Sequence, residues 1–365
     1  MNKILIVGQI PPPFGGQAIM IESLVKFYKN NNNICHVPMS FSKDMDTLGK
    51  FELRKIIELI NVISRIWAYK ILHNPKALYF PPTGAGNKLP FYRDAFLLVL
   101  SRFLFKKTIF HFQASGLKDL YYKLNYVEKL IFKWAYYEPD ISIIMSKRGI
   151  DDPNFIKSKE IEVIPNAVRE IIFESDQKNH RAIPNLLFVG LLCKSKGVEV
   201  LIDACLILER RGIDFKLNIV GKFESIRYEK YLNDLLKQHK LENRICFKGV
   251  MLGKEKHIIF SESDIFCFPT FFEHESFPLV IIEAMMYSLP IVTTDWRSIP
   301  EIITDNKNGI VRQIMSADAI AEAISLLITD KELGIRLGTN ARKDFLEFYT
   351  LDDFLLKMDN LFENV

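Results

Sequence analysis

The chain is expected to fold as two doubly wound α/β domains. Three observations predict this. Its 365 residues exceed what one hydrophobic core usually spans. Short β-branched runs alternate with stretches of helical apolar spacing, and that alternation restarts near residue 185. The composition, 48% hydrophobic and 25% charged, is that of a globular chain and excludes extensive disorder.

Strand-like runs bounded by Gly, Pro or Asn fall at 4–7, 77–80, 108–110, 141–145, 161–164, 186–189, 217–220, 245–247, 265–268 and 291–293. Helical spacing is found over 19–28, 54–72, 92–104, 123–137, 198–211, 228–239, 278–287, 317–328 and 341–348. Alternation of this kind implies parallel sheets covered on both faces. The polar segment from Glu174 to Arg181 reads as a linker. The expected division is therefore an N-terminal domain over 1–174, a linker over 175–182, and a second domain over 183–347. A C-terminal helix over 348–365 is expected to pack back on the first domain. Ligands belong at the carboxyl ends of the strands.

The five cysteines are scattered and form no Cys-x-x-Cys pair, which argues for reduced thiols and against a disulfide framework or zinc site. Met1 runs straight into a strand-like segment without the pattern of a signal peptide, so a cytoplasmic location is expected, either free or at the inner face of the cell membrane. The longest apolar run, around 95–105, is interrupted by Arg102 and is too short to span a bilayer. The net charge of +4 selects no partner, and no nucleic acid is expected. Between Lys88 and Lys133, however, nine Lys and Arg stand against three acids, interleaved with aromatics. Two readings stand: a surface for an anionic membrane or phosphorylated acceptor, with Arg102, Lys106 and Lys107 foremost, or ordinary solvated helix faces.

Chemistry concentrates at three places. The first strand opens into a loop ending Gly15-Gly16-Gln17 before a helix. Paired glycines at a helix N-terminus let backbone amides approach an anion, although such a turn also serves as a plain tight bend. The dinucleotide signature Gly-x-Gly-x-x-Gly is absent. The second domain opens with a strand, Gly190, then Lys194-Ser195-Lys196-Gly197 and a helix. Lys196 there can face a diphosphate or lie on the surface. The strongest signal runs from Pro269 to Met285. Glu275 lies in a loop after a buried strand and Pro278 suits the first helical turn. Glu283 sits among apolar helix neighbours, where a carboxylate needs partners.

Glu275 and Glu283, in the context Glu-Ser-Phe-Pro-Leu-Val-Ile-Ile-Glu-Ala-Met, resemble the signature of family 4 of the retaining glycosyltransferases (group 1 glycosyl transferases). The resemblance extends along most of the chain. It takes in the Gly15-Gly16 loop, Val163 to Val168, Lys196-Gly197, the segment from Thr293 to Glu301, and Asn308-Gly309. It implies the GT-B architecture, two Rossmann-like doubly wound domains facing each other across a cleft. It also implies a hexosyltransferase that moves a hexose-type sugar, with retention and without a metal or other cofactor, from a nucleotide-diphosphate donor such as a UDP-sugar. The implied acceptor is a glycan or polyprenyl-diphosphate-linked sugar in bacterial surface polysaccharide biosynthesis. A nucleotide-sugar 2-epimerase, a phosphorylase and a non-catalytic nucleotide-sugar-binding protein are the rival readings.

By the same resemblance Glu275 contacts the donor sugar, Glu283 the ribose and Lys196 the diphosphate, with the backbone around Ser276, Phe277, Pro278, Leu279 and Val280 and the glycines Gly15, Gly16 and Gly190 completing the donor site. His111, at the end of a strand, resembles a donor-side catalytic histidine, with Gln113 as the alternative for that place. Gln17, Gln113, Arg102, Lys106 and Lys107 are assigned to the acceptor side. The family's usual arginine is replaced by Leu191, so that either Lys194 or Arg297 compensates or the donor is held more weakly.

Overall fold

The computed structural model describes residues 4–12, 15–29, 34–39, 41, 53–84, 88–171 and 183–365. The expected linker over 175–182 lies outside the described residues. The chain forms two compact units, one of Met1–Ala167 with Leu351–Val365 and one of Val168–Thr350.

The first unit runs β1 (Ile4–Gly8), α1 (Gly16–Phe27), β2 (Ile34–Pro38), α2 (Leu53–His73), β3 (Ala77–Phe80), α3 (Lys88–Ser101), β4 (Lys107–Phe112), α4 (Leu117–Tyr122), α5 (Tyr126–Tyr136), β5 (Ile141–Ile144), α6 (Asp151–Phe155) and β6 (Glu160–Val163). Its strands form one sheet in the order β2-β1-β3-β4-β5-β6, all parallel. Strand alternation sorts the core. Leu5 and Val7 face a layer built on Val62, Ile66, Phe91, Leu98 and Phe132 of α2, α3 and α5, while Ile4 and Ile6 face Met20, Ile21 and Leu24 of α1. Helix α5 starts at Tyr126 because Asn125 and Glu128 form a reciprocal capping box.

The second unit runs β7 (Asn185–Val189), α7 (Val198–Arg210), β8 (Lys216–Val220), α8 (Ile226–Gln238), β9 (Ile245–Gly249), α9 (Gly253–Ser261), β10 (Ile265–Phe268), α10 (Leu279–Met286), β11 (Ile291–Thr294), α11 (Ile299–Ile302), β12 (Ile310–Arg312), α12 (Ala317–Thr329) and α13 (Lys331–Phe348). The parallel sheet has the order β9-β8-β7-β10-β11-β12, so the winding direction reverses between β7 and β10. In open α/β sheets that reversal marks the ligand crevice. In the first sheet it falls between β1 and β3.

The final helix, α14 (Leu351–Glu363), belongs to the first unit. Phe354, Met358 and Phe362 enter the core beside Tyr79 and Ile109, and the Tyr28 hydroxyl donates to Asp359 Oδ1 at 2.7 Å. The first unit's opening segment ends at 167 rather than at 174. Val168 N–H donates to Tyr349 O at 3.2 Å and Glu170 pairs with Arg342, both inside the second unit. Helix α13 begins ten residues before the expected 341. Gly334 and Gly338 weaken the helical pattern, yet Gly338 is needed there: a Cβ would stand 2.2 Å from Ser288 O. Among the described residues no helix is long and apolar enough to cross a membrane.

Candidate active site

The reversal point of the second sheet assembles the site. After β7 the chain passes Gly190 into a 3-10 turn at Lys194–Lys196 that Gly197 closes in the left-handed region, φ +80°. Gly197 lies directly on the end of β10, where a Cβ would stand 2.0 Å from Pro269 O. No other residue fits this approach. The turn is pinned further by Phe271 N–H donating to Ser195 O at 2.8 Å.

That contact brings the two strand ends together and with them the two charged groups. Lys196 Nζ donates to Glu275 Oε2 at 2.5 Å, with side chains only 14% and 9% exposed. The ammonium also lies 4.6 Å from the Phe272 ring centre and 5.5 Å from that of Phe268, a cation–π seat that holds it when the carboxylate is engaged elsewhere. Buried Thr270 donates from Oγ1 to the same Glu275 oxygen at 3.2 Å.

The loop carrying Glu275 is clamped by the segment after β11. Thr294 Oγ1 donates to Thr270 O at 2.5 Å, Trp296 Nε1 to Phe272 O at 2.7 Å, and the Ser298 hydroxyl to Ser276 O. The stretch from Thr293 to Glu301 thus fixes the loop backbone. Phe277 is buried against Tyr349, and Pro278 is the N-cap of α10 rather than part of its first turn. The amides of Leu279 and Val280 open the helix, where backbone N–H groups lack intrahelical acceptors and the dipole favours an anion.

Glu283, in the second turn of α10, pairs with a different lysine: Lys256 Nζ of α9 donates to its Oε1 at 2.6 Å. Its other oxygen is enclosed without a partner among the described residues. Lys256 was not singled out in the sequence, and nothing in the periodicity of its short helix would have found it. Leu191 is exposed, as is Lys194, and the Arg297 guanidinium stacks over the neighbouring Trp296 ring at 5.5 Å.

In the first unit, Gly15 caps α1 and Gly16 begins it, with Gln17 half-buried in its first turn. Gln9, just after β1 at the reversal point of that sheet, has its side-chain nitrogen enclosed without a partner among the described residues. His111 is fully buried. The Tyr79 hydroxyl meets its Nδ1 at 2.5 Å and the Gln113 amide its Nε2 at 2.9 Å, and Gln113 is held in turn by Asn166 at 2.8 Å. Burial lowers the His111 pKa to about 3, so the imidazole is neutral and holds the network together from inside the sheet. Of the two places considered at this strand end, Gln113 is the partly open one.

The Arg102 guanidinium donates to Ala135 O at 3.1 Å, Tyr137 O at 2.7 Å and Glu138 O at 2.8 Å, and so satisfies the carboxyl end of α5. Lys106 is exposed, and Lys107 Nζ donates to Asn364 O at 3.4 Å.

The second unit is thus a doubly wound α/β unit whose sheet reverses beside a lysine–carboxylate pair, with a helix N-terminus following that carboxylate. Residues 169–344 match the family of glycosyl transferases group 1. The matched range lies within the second unit. The chain is 29% identical over 226 residues to an uncharacterized glycosyltransferase of Methanocaldococcus jannaschii, covering 62% of this chain and 55% of that one. It is 28% identical over 240 residues to the capsular polysaccharide biosynthesis glycosyltransferase CapM of Staphylococcus aureus, covering 61% and 60%. The chain thus spans less than two thirds of the length of these relatives. Anabaena HepE, solved with UDP and glucose, superposes over 100% of both chains with a TM-score of 0.75 at 17% identity. That likeness is one of fold, the GT-B fold.

Proposed function

We propose that the protein is a retaining, metal-independent hexosyltransferase that uses a nucleoside-diphosphate sugar, UDP-linked, to extend a glycan or polyprenyl-diphosphate-linked acceptor in bacterial surface polysaccharide biosynthesis. The observation that carries this is the Lys196–Glu275 pair at the reversal point of the second sheet. Binding of a donor diphosphate gives the Lys196 ammonium a second anionic partner and leaves Glu275 able to accept a sugar hydroxyl. The amides opening α10 share the phosphate charge, and Glu283, held by Lys256, offers its unpartnered oxygen to the ribose hydroxyls. The relatives point to the same class: one is named for capsular polysaccharide biosynthesis, and a fold neighbour holds UDP and glucose.

In the reaction the acceptor oxygen forms a bond to the anomeric carbon as the bond from that carbon to the diphosphate oxygen breaks. The acceptor proton passes to the departing diphosphate. Lys196 and the helix amides stabilise the charge that develops on the leaving group, which is where fixed donors contribute most.

The test is a thermal-shift panel of nucleotides and nucleotide sugars followed by transfer assays with the stabilising donor. A bound donor at a hundred times its Kd adds about 2.7 kcal/mol of apparent stability. Transfer with anomeric retention, unchanged by EDTA, supports the reading. Donor turnover without an acceptor, phosphate-dependent turnover, or binding without any product would replace it by the epimerase, phosphorylase or binding-protein reading respectively.

A further inference from the structure

We infer that the outer face of the α2–α3–α5 layer seats the first unit on an anionic bilayer surface. The three helices pack side by side over one face of the sheet, so their outward sides form a single surface. Each carries apolar residues outward at helical spacing. On α2 these are Ile56, Ile60, Trp67 and Ile71; on α3 and the turn after it, Tyr92, Phe96, Leu100 and Phe103; on α5, Tyr126, Leu130 and Trp134. Trp134 is 77% exposed and Phe103 67%. Trp67 joins two stripes, its Nε1 donating to Leu100 O at 3.1 Å and its ring 5.9 Å from that of Phe103. Soluble monomers rarely leave so much large apolar side chain in one place.

Charge identifies the occupant. From Leu53 to Glu138 the sequence has fourteen Lys and Arg against five Asp and Glu, +9 in a chain whose total is +4. The remainder is therefore −5, and the positive charge is concentrated in the segment that carries this layer. Arg65 and Lys133 are exposed in it, and Lys106 at its edge. Protein interfaces are depleted in lysine at their core. Tryptophan, tyrosine and isoleucine bordered by lysine and arginine instead match the interfacial region of an anionic membrane. At about 1.5 Å per residue, the 21 residues of α2 lie along some 30 Å of that surface. A groove of about 340 Å³ opens at the edge of the layer, lined by Phe103, Lys106 and Trp134 among others.

This inference does not rest on the transferase reading. The full chain is mixed with phosphatidylcholine vesicles with and without ~30% phosphatidylglycerol, a content that sets a negative surface potential, and bound protein is sedimented. We expect binding to the anionic vesicles only, a blue shift of tryptophan emission on binding, and release at ~0.5 M NaCl. Lys106→Gln with Lys133→Gln should weaken partitioning about 25-fold, about fivefold for each charge removed. Phe103→Ser with Trp134→Ser should weaken it at least about tenfold with an unchanged melting temperature, since both side chains are exposed. Equal binding by wild type and both variants, or no binding at all, overturns the inference. So does a dimer in sedimentation velocity that dissociates in the Phe103→Ser, Trp134→Ser variant without any vesicle binding.

Discussion

Lys196 Nζ and Glu275 Oε2 lie 2.5 Å apart although 79 residues separate them in the chain, and the junction of β7 and β10 is what brings them together. The pair is well enclosed, so its two members are not equivalent as targets. Loss of the cation leaves a carboxylate with little besides the Thr270 hydroxyl to compensate it, whereas glutamine in place of Glu275 keeps the shape and loses only the charge.

Glu275→Gln is accordingly expected to lower kcat/KM for transfer about a hundredfold or more while moving the melting temperature by no more than a few degrees. Steady-state kinetics with differential scanning fluorimetry checks this. Early unfolding with intact turnover of the remaining folded protein would make Glu275 a structural residue.

Lys256→Met should free Glu283 to move. The expected outcome is a donor KM raised about tenfold with kcat nearly unchanged, because the interaction concerns the nucleotide and not the reacting centre. A nucleotide lacking the ribose hydroxyls should bind wild type and variant alike. An equal loss of affinity for both nucleotides would remove the ribose assignment from Glu283.

Gly197→Ala is expected to destabilise the second unit by about 2 kcal/mol or more, since the residue sits at φ +80° and a side chain would press on Pro269 O. Urea titration measures it. Gly212→Ala is the control: that glycine has a similar φ of +70° but open space around it, so its cost should be the smaller of the two.

His111 makes stability depend on acid. Its folded pKa, about 3, lies below the ordinary 6.5, so the unfolded chain takes up a proton first. Nothing is lost above pH 6.5. As the pH falls from 6.5 toward 3, stability declines by up to about 1.4 kcal/mol per pH unit from this group. His36, also lowered by burial, acts in the same direction. His111→Asn should flatten the decline in denaturant titrations between pH 7 and 5, and an unchanged slope would show that His111 does not control it.

Much of the fold was legible because burial on both sheet faces writes continuous β-branched runs, as in β1, β4 and β10. The strands that escaped notice are edge strands. β2 is only half-buried and β12 has three residues, so neither carries a strong apolar run. At the site, Glu275, Glu283 and Lys196 stood out by context. Lys256 did not, because a lysine on a short polar helix looks like any surface lysine until its partner is placed beside it. The Arg102 contacts were not legible for the converse reason: its acceptors are backbone carbonyls, which no side-chain pattern reports.

The placement of α14 bears on how the chain comes to be folded. The second unit is one uninterrupted stretch and has everything it needs once Thr350 has emerged. The first sheet, though synthesised earlier, has one side covered only in part by α1 until Phe354, Met358 and Phe362 arrive. A fragment ending near residue 167 should therefore be sticky and prone to aggregate, whereas one spanning 168–350 should be well behaved in isolation.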